Sequence, residues 1–580
     1  MRLHSPAVAL SAISGRTRLR VLAPGATNST FPALTPCTKL DKDMKNFPIR
    51  LLGFGFCALS ASFISGLTAK AAVDLDRDPA WAGAYKAAPM NVDETKAFIK
   101  QLAQYVFDHH MKKTEGSPQR GIIYEYFHVA NAGKPDQFIQ GEALDTMHDG
   151  AWFAVAMVQA YRATGDAFFK EVLTQWQLPF YLKMLNHSDE LFTSERDDGI
   201  EVGWSKGTEW LLLGREKGFV PYWWEDGASV SLEMVVRKTE HLNFPGRNER
   251  AGIPNPDKRL VGYSLGSSNH MAQDLAIMLE QSWLLVHESF DAADQKLAGE
   301  VAEAARNLAN CRARHGVPNI PAVRAALAVT SGDAAMRKTL PEVTWKGLAT
   351  SRSDWRHAVF EFKPDEQVKV PTFCDDQEYS YYTGVARDGT LTDPLAFRLI
   401  YDAFTLPKLY RAYSDDSEVP PGIGIFEYPY FFVNGKPADT RSQRKGPAGR
   451  PRPIGSRFGP QNMVVTGWAL QALKAHPGLW DAARKEITKP NYFPPESEAE
   501  VRAALERELG GGLRTWQAIF KSKGYIPTGI GAGGTGAGFP WDDISDTGGY
   551  AHLISAAAQW IFHLEGKADW ETQRVPDRQQ

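Results

Sequence analysis

Cysteine is scarce in this chain, with four in 580 residues. Only Cys311 and Cys374 lie beyond residue 72, enough for one bridge or two buried thiols but no disulfide scaffold. HExxH and CxxC spacings are both missing, which removes the usual signatures of a zinc centre, and no metal or cofactor is expected. The glycine run "GIGAGGTGAG" at 529–538 has neither the Lys-Ser/Thr of a phosphate-binding loop nor a clear preceding strand, so it reads as a lid or a close backbone approach rather than a nucleotide site. No fixed repeat period occurs, which counts against a solenoid. Alternating strand patterns are sparse, limited to "HAVFEF" at 357–362 and "YPYFFV" at 428–433, and exclude a β-sandwich domain.

Long apolar runs are equally rare. The one example, Leu51 to Leu67, follows Lys45 and Arg50 and precedes the small-x-small site Ala69-Lys70-Ala71. That is the layout of a secretory signal peptide starting at Met44, over residues 44–71. Residues 1–43 read as a disordered leader or a mis-assigned start. Residues 72–580 read as one catalytic domain, periplasmic or secreted, with no stable membrane insertion after cleavage. Nine of the 65 Lys/Arg but only two of the 68 Asp/Glu precede residue 72, so the mature part is more acidic than the whole chain at net −3. Such a surface does not suit nucleic acid, and no nucleic-acid partner is expected.

Helical periodicity fills the remainder. It predicts helices over 93–112, 143–164, 167–186, 269–288, 291–315, 391–413, 461–475, 498–522 and 547–565, with Asp93 capping the first and Pro394 in the first turn of a later one. Several come as neighbouring pairs, 143–164 with 167–186 and 269–288 with 291–315. Between pairs run long stretches rich in aromatics, at 189–266, 345–390, 415–460 and 524–546. The expected fold is mainly α with little β: an (α/α)n toroid of helical hairpins whose long loops gather at one mouth.

Those loops carry groups suited to sugars. Trp210, Tyr222, Trp223 and Trp224 offer flat faces for stacking on pyranose rings, followed at once by Glu225 and Asp226, which accept hydroxyl hydrogen bonds. The segment "DTRSQRKGPAGRPRPIGSRFG" gathers Arg452 with five other cations and invites an anionic ligand. At "LDTMHDGAW", Asp145, His148 and Asp149 share one helical face at i, i+3 and i+4. Acids in a first turn also complement the helix dipole, but the imidazole has no such reason to be there. At "GYSLGSSNHMAQDLAIML", Asn269 and His270 stand where a loop becomes a helix. Capping accounts for an Asn and leaves the His unexplained.

An amide beside an imidazole suits β-elimination on a uronate. The amide neutralises the carboxylate, a neutral His serves as base or second clamp, and a tyrosine protonates the departing O4. Tyr379, Tyr381 and Tyr382 in "CDDQEYSYYTG" offer that acid. In these features the chain resembles the (α/α)-toroid polysaccharide lyases, the alginate, glucuronan and chondroitin type, in which an adjacent Asn and His open a helix with a Tyr and often an Arg farther along. The resemblance implies a carbon–oxygen lyase acting on an acidic polysaccharide or oligosaccharide. It departs from the pattern in having no Tyr between His270 and Tyr379, while Arg312, Arg314 and Arg324 fall in that interval, and Arg387 is an alternative cation. Two other readings stand beside it. One is a glycoside hydrolase of the same shape using a carboxylate pair from Asp145, Asp149, Glu225 and Asp226. The other is a non-catalytic helical glycan-binding protein.

Overall fold

The computed structural model describes residues 83–113, 115, 120–124, 126–128, 146–187, 217–218, 269–287, 289–314, 319–331, 344–346, 367–369, 391–413, 420–423, 431–433, 436–437, 458–486, 495–527 and 544–569. The chain divides into Met1–Thr68 and Ala69–Gln580, and every described residue belongs to the second unit. Among the described residues no helix is long and apolar enough to cross a membrane; residues 44–71, expected to be a signal peptide, lie outside them.

The described part is mainly helical. In chain order it contains α1 (Val92–His109), β1 (Tyr126–His128), α2 (Thr146–Thr164), α3 (Ala167–Glu171), α4 (Leu178–Asn186), α5 (Asn269–His287), α6 (Ala292–Arg314), α7 (Pro321–Ser331) and β2 (Gln367–Lys369). There follow α8 (Asp393–Tyr413), β3 (Phe431–Val433), β4 (Lys436–Pro437), α9 (Phe458–Ala475), α10 (Leu479–Glu486), α11 (Glu498–Glu506), α12 (Gly512–Lys523), β5 (Ile544–Asp546) and α13 (Thr547–Glu565). The strands make two small antiparallel sheets, β1 with β5 and β2-β3-β4. Of the expected strand at 428–433, residues 431–433 form β3; 428–430 and the segment 357–362 lie outside the described residues.

Helix ends follow local chemistry. The first helix is capped by Asn91 rather than by Asp93: Asn91 Oδ1 accepts from Glu94 N at 2.9 Å, and Glu94 Oε2 accepts from Asn91 N at 3.1 Å, a reciprocal capping box. Ser497 and Glu500 repeat the device at α11. Two π turns, Val172–Gln177 and Arg507–Gly511, join α3 to α4 and α11 to α12 as continuous rods. Their cause is visible in the apolar spacing. Phe169, Leu173, Gln177, Tyr181 and Leu185 repeat every four residues and are all buried, as are Val501, Leu505, Leu509 and Leu513. A strict four-residue repeat drifts by about 40° per step in an α-helix. A wider π turn absorbs that drift and keeps the row on the core side.

Side-chain pairs fix the direction of each helix. Lys170 meets Asp294 and Asn186 meets the carbonyl of Glu300, so α3–α4 and α6 run parallel. Each is antiparallel to its predecessor, because α2 turns into α3 across two residues and α5 turns into α6 across four. Hence α2 and α5 are parallel. Met90 lies at Trp560 and His110 at Thr547, which sets α1 antiparallel to α13. Phe107 packs on Trp176 and Lys100 pairs with Asp166, which sets α1 parallel to α3–α4. Gly467 abuts Gln559, and Lys474 donates to the carbonyl of Gly566, so α9 and α13 advance together. Four helices, α9, α13, α2 and α5, therefore start at one end, called the top below. The helices α1, α3–α4, α6 and α11–α12 run the other way. The last helix packs between the first hairpin and α9, and is buried on every side from Thr547 to Phe562.

Candidate functional site

At the top, the first turn of α2 lies against the first turn of α13. A Cβ added to Gly548 would sit 2.9 Å from Asp149 Oδ1 and 3.2 Å from Asp546 Oδ1. Asp546 caps α13, accepting from Gly549 N at 3.2 Å, so two buried carboxylates face the start of this helix. Lower down, Arg162 Nη1 donates to Gln281 Oε1 at 3.3 Å. Counting thirteen residues back along both parallel helices reaches Asp149 on α2 and Ser268 before α5. Asn269 and His270 thus stand at the height of Gly150 and Ala151, one helix away.

The gathering of N-termini has an electrostatic consequence. Each helix start carries unsatisfied N–H groups and roughly half a positive charge. Four parallel starts superpose to roughly two positive charges, which the carboxylates of Asp149 and Asp546 offset. The opposed helices bring their C-termini to the same end, and there Lys112, Arg312 and Lys523 are buried cations. Burial lowers the pKa of the Arg312 guanidinium from its ordinary value.

Beside this end a hydrogen-bonded clasp joins the beginning of the described chain to its end. His110 Nδ1 lies 3.1 Å from the carbonyl of Tyr124 and 2.7 Å from Thr547 Oγ1, and its Nε2 lies 2.9 Å from Ser545 Oγ. A carbonyl only accepts, so Nδ1 carries the proton and Nε2 accepts. Burial drives the His110 pKa down to about 3, against a smaller upward pull from the Tyr124 carbonyl. Tyr550 Oη accepts from Ile526 N at 2.8 Å, and its ring stacks on Tyr105 with centroids 5.1 Å apart. Burial raises the pKa of the Tyr105 phenol to about 12. The clasp is walled off from solvent and links α1, β1, β5 and α13; it is a fastening and not a reaction centre.

The residues expected to do chemistry divide into three groups. Asn269, His270 and His148 have their backbones in the first turns of α5 and α2, and their side chains lie outside the described residues. Asp145, Trp210, Tyr222, Trp223, Trp224, Glu225, Asp226, Tyr379, Tyr381, Tyr382, Arg387 and Arg452 lie wholly outside them. Asp149 is described: it is 1% exposed, its carboxylate set into the seam against α13.

The segment 345–390, expected at the same end as the other loops, lies outside the described residues apart from 345–346 and 367–369. Just beyond it Asp393 Oδ1 lies 2.8 Å from His476 Nδ1, directly after the last residue of α9 and so at the bottom.

Several residues escaped the sequence reading. Gly548, His552, Ser555 and Gln559 stand at i, i+4, i+7 and i+11 on α13, all buried, a polar stripe on an otherwise apolar helix. His552 meets Trp152 of α2, ring centroids 5.3 Å apart. The stripe was present in the sequence as polar residues at helical spacing within an apolar run. The clasp had no such signal, since its partners lie some 435 positions apart. Among the described residues no group of three His, Cys, Asp or Glu side chains could hold a metal ion. Comparison with protein-family models, with curated proteins and with solved structures finds no match.

Proposed function

We propose that this chain is an exported polysaccharide lyase of (α/α)-toroid form, acting on a uronic-acid polymer by β-elimination. The toroid is supported by two sets of opposed helices and by the packing of the last helix on α1, α2 and α9. The chemistry is carried by one observation above all. The Asn269-His270 pair opens a helix parallel to the one that carries His148 and Asp149 in its first turn, within about one turn of the same height, at the end where Lys112, Arg312 and Lys523 lie.

In this reading the substrate carboxylate sits at the top. The Asn269 amide donates to it and withdraws charge, so that the C5 proton becomes acidic. His270 in its neutral form takes that proton, with His148 beside it as the second imidazole. The electron pair released at C5 forms the C4–C5 double bond, and the C4–O4 bond breaks. One of Tyr379, Tyr381 and Tyr382 gives its proton to the departing O4. Trp210, Tyr222, Trp223 and Trp224 supply stacking faces, Asp145 and Glu225 accept hydroxyls, and Arg452 adds a cation for neighbouring uronates.

The burial of Asp149 weighs against its membership in the carboxylate pair of the hydrolase alternative, which leaves Asp145, Glu225 and Asp226. A carboxylate sealed into a helix seam is not free to flank a glycosidic bond. Digestion of glucuronan, alginate and chondroitin separates the readings. A lyase raises near-ultraviolet absorbance as unsaturated ends form. Reducing ends accumulating without that absorbance would mark a hydrolase, and binding without either product would mark a glycan-binding protein.

A further inference from the structure

We propose that the π turn Val172–Gln177 is the positioning device of this site: through Gln177 and Tyr181 it sets the height and rotation of the first turn of α2, and with it His148. The inference rests on the reading that the top of α2 belongs to the functional site.

Three contacts converge on that turn. Gln177, fully buried, donates from Nε2 to the carbonyl of Gly150 at 3.0 Å. That bond fixes the orientation of the amide, because the carbonyl can only accept. Its Oε1 is left buried with no hydrogen-bond partner, a cost accepted in order to hold Gly150. Tyr181, one helical step further, presses its hydroxyl where a side chain at position 150 would begin, so only glycine fits there. On the other flank Asp149 is held against Gly548. The first turn of α2 is thus gripped from both sides, by α13 and by the π turn.

The grip depends on the π winding. In an unbroken α-helix the row Phe169, Leu173, Gln177, Tyr181, Leu185 would have rotated by roughly 160° along its length. Gln177 and Tyr181 could not then face Gly150 while Phe169 and Leu185 remain in the core. The same turn receives the opposite wall: Arg120 Nη1 donates to the carbonyl of Gln175 at 3.3 Å, and Gly121 packs on the backbone of Trp176. One element therefore sets the register of α2 and of the segment leading into the His110 clasp.

The test uses the full chain labelled with 13C at histidine. The His148 resonance is identified by its loss in His148→Gln. In Gln177→Met, which keeps volume and removes the donor, the His148 signal moves by more than its line width. Those of His476 and His563, at the far end, stay in place. With an active substrate, kcat falls roughly ten- to a hundredfold with KM little changed. If Gln177→Met fails to fold, Tyr181→Phe, which removes one hydroxyl, must displace His148 in the same way. An unmoved His148 in a folded variant overturns the proposal. A displaced His148 in a protein that yields no unsaturated product leaves the positioning intact and ends the lyase reading instead.

Discussion

The carboxylate of Asp149 occupies the space where a side chain at position 548 would start, 2.9 Å from its first carbon. The contact seals the last helix to the first hairpin, and both partners are buried. Gly548→Ala should therefore cost stability even though alanine favours helix. Its intrinsic gain of about 1 kcal/mol is outweighed by crowding of about 1–3 kcal/mol. Gly299 is the control: it is helical and exposed, with nothing near its missing Cβ. Gly299→Ala should stabilise by about 0.5–1 kcal/mol. Chemical denaturation of the two variants measures both signs, and a neutral Gly548→Ala would mean that the seam is loose.

The His110 clasp makes stability depend on acidity in a defined window. Its folded pKa of about 3 lies below the ordinary 6.5, so the unfolded chain binds a proton that the native state refuses. The contribution is complete above pH 6.5 and is lost as pH falls from 6.5 toward 3, at up to about 1.4 kcal/mol per pH unit. His110→Asn retains a donor and cannot titrate. Unfolding free energies from pH 7 to pH 4 should fall less steeply in this variant than in the parent, and equal slopes would place His110 outside the folding linkage.

How much of this was legible beforehand depends on the range of the interaction. Rods such as Ala167–Asn186 and Thr547–Glu565 stand where their periodicity put them, because an apolar face of 19 or 20 residues overrides local preference. The eight-residue α10 was invisible. It is held by Trp480, which packs on Phe397, Tyr401 and Phe404, and has too few turns for a pattern. The short α7 was missed as well. The π turns were written as strict four-residue repeats and went unread. At the proposed site, the dipeptides His148-Asp149 and Asn269-His270 were singled out from residue type and from their place at helix starts. Their shared height depends on Arg162 meeting Gln281 across 119 positions, and no local rule reports that.

The capping box separates local sequence logic from the built structure. Asp93 follows the helix start and looked like its cap, yet Asn91 bonds the Glu94 amide, and Glu94 in turn pairs with Arg514 at 2.8 Å. Asn91→Ala should destabilise by about 1 kcal/mol. Asp93→Ala should cost only the few tenths of a dipole contribution. Comparable losses in thermal unfolding of the two variants would return the cap to Asp93.

The functional reading stands or falls on Asn269. An amide that donates to a uronate carboxylate contributes most as charge develops at C5, so its removal lowers turnover more than affinity. Asn269→Ala should reduce kcat by about 10²–10³-fold, with KM changed far less and the unfolding midpoint close to that of the parent. Asn269→Asp is the sharper variant. It keeps the size of the side chain at the start of α5, but sets a negative charge against the substrate anion. Turnover should fall at least as far as in the alanine variant while stability is preserved, because a carboxylate suits a helix N-terminus. His270→Ala should abolish elimination or displace its pH optimum. Folded Asn269 variants that form unsaturated product at the parental rate would show that the amide only caps its helix.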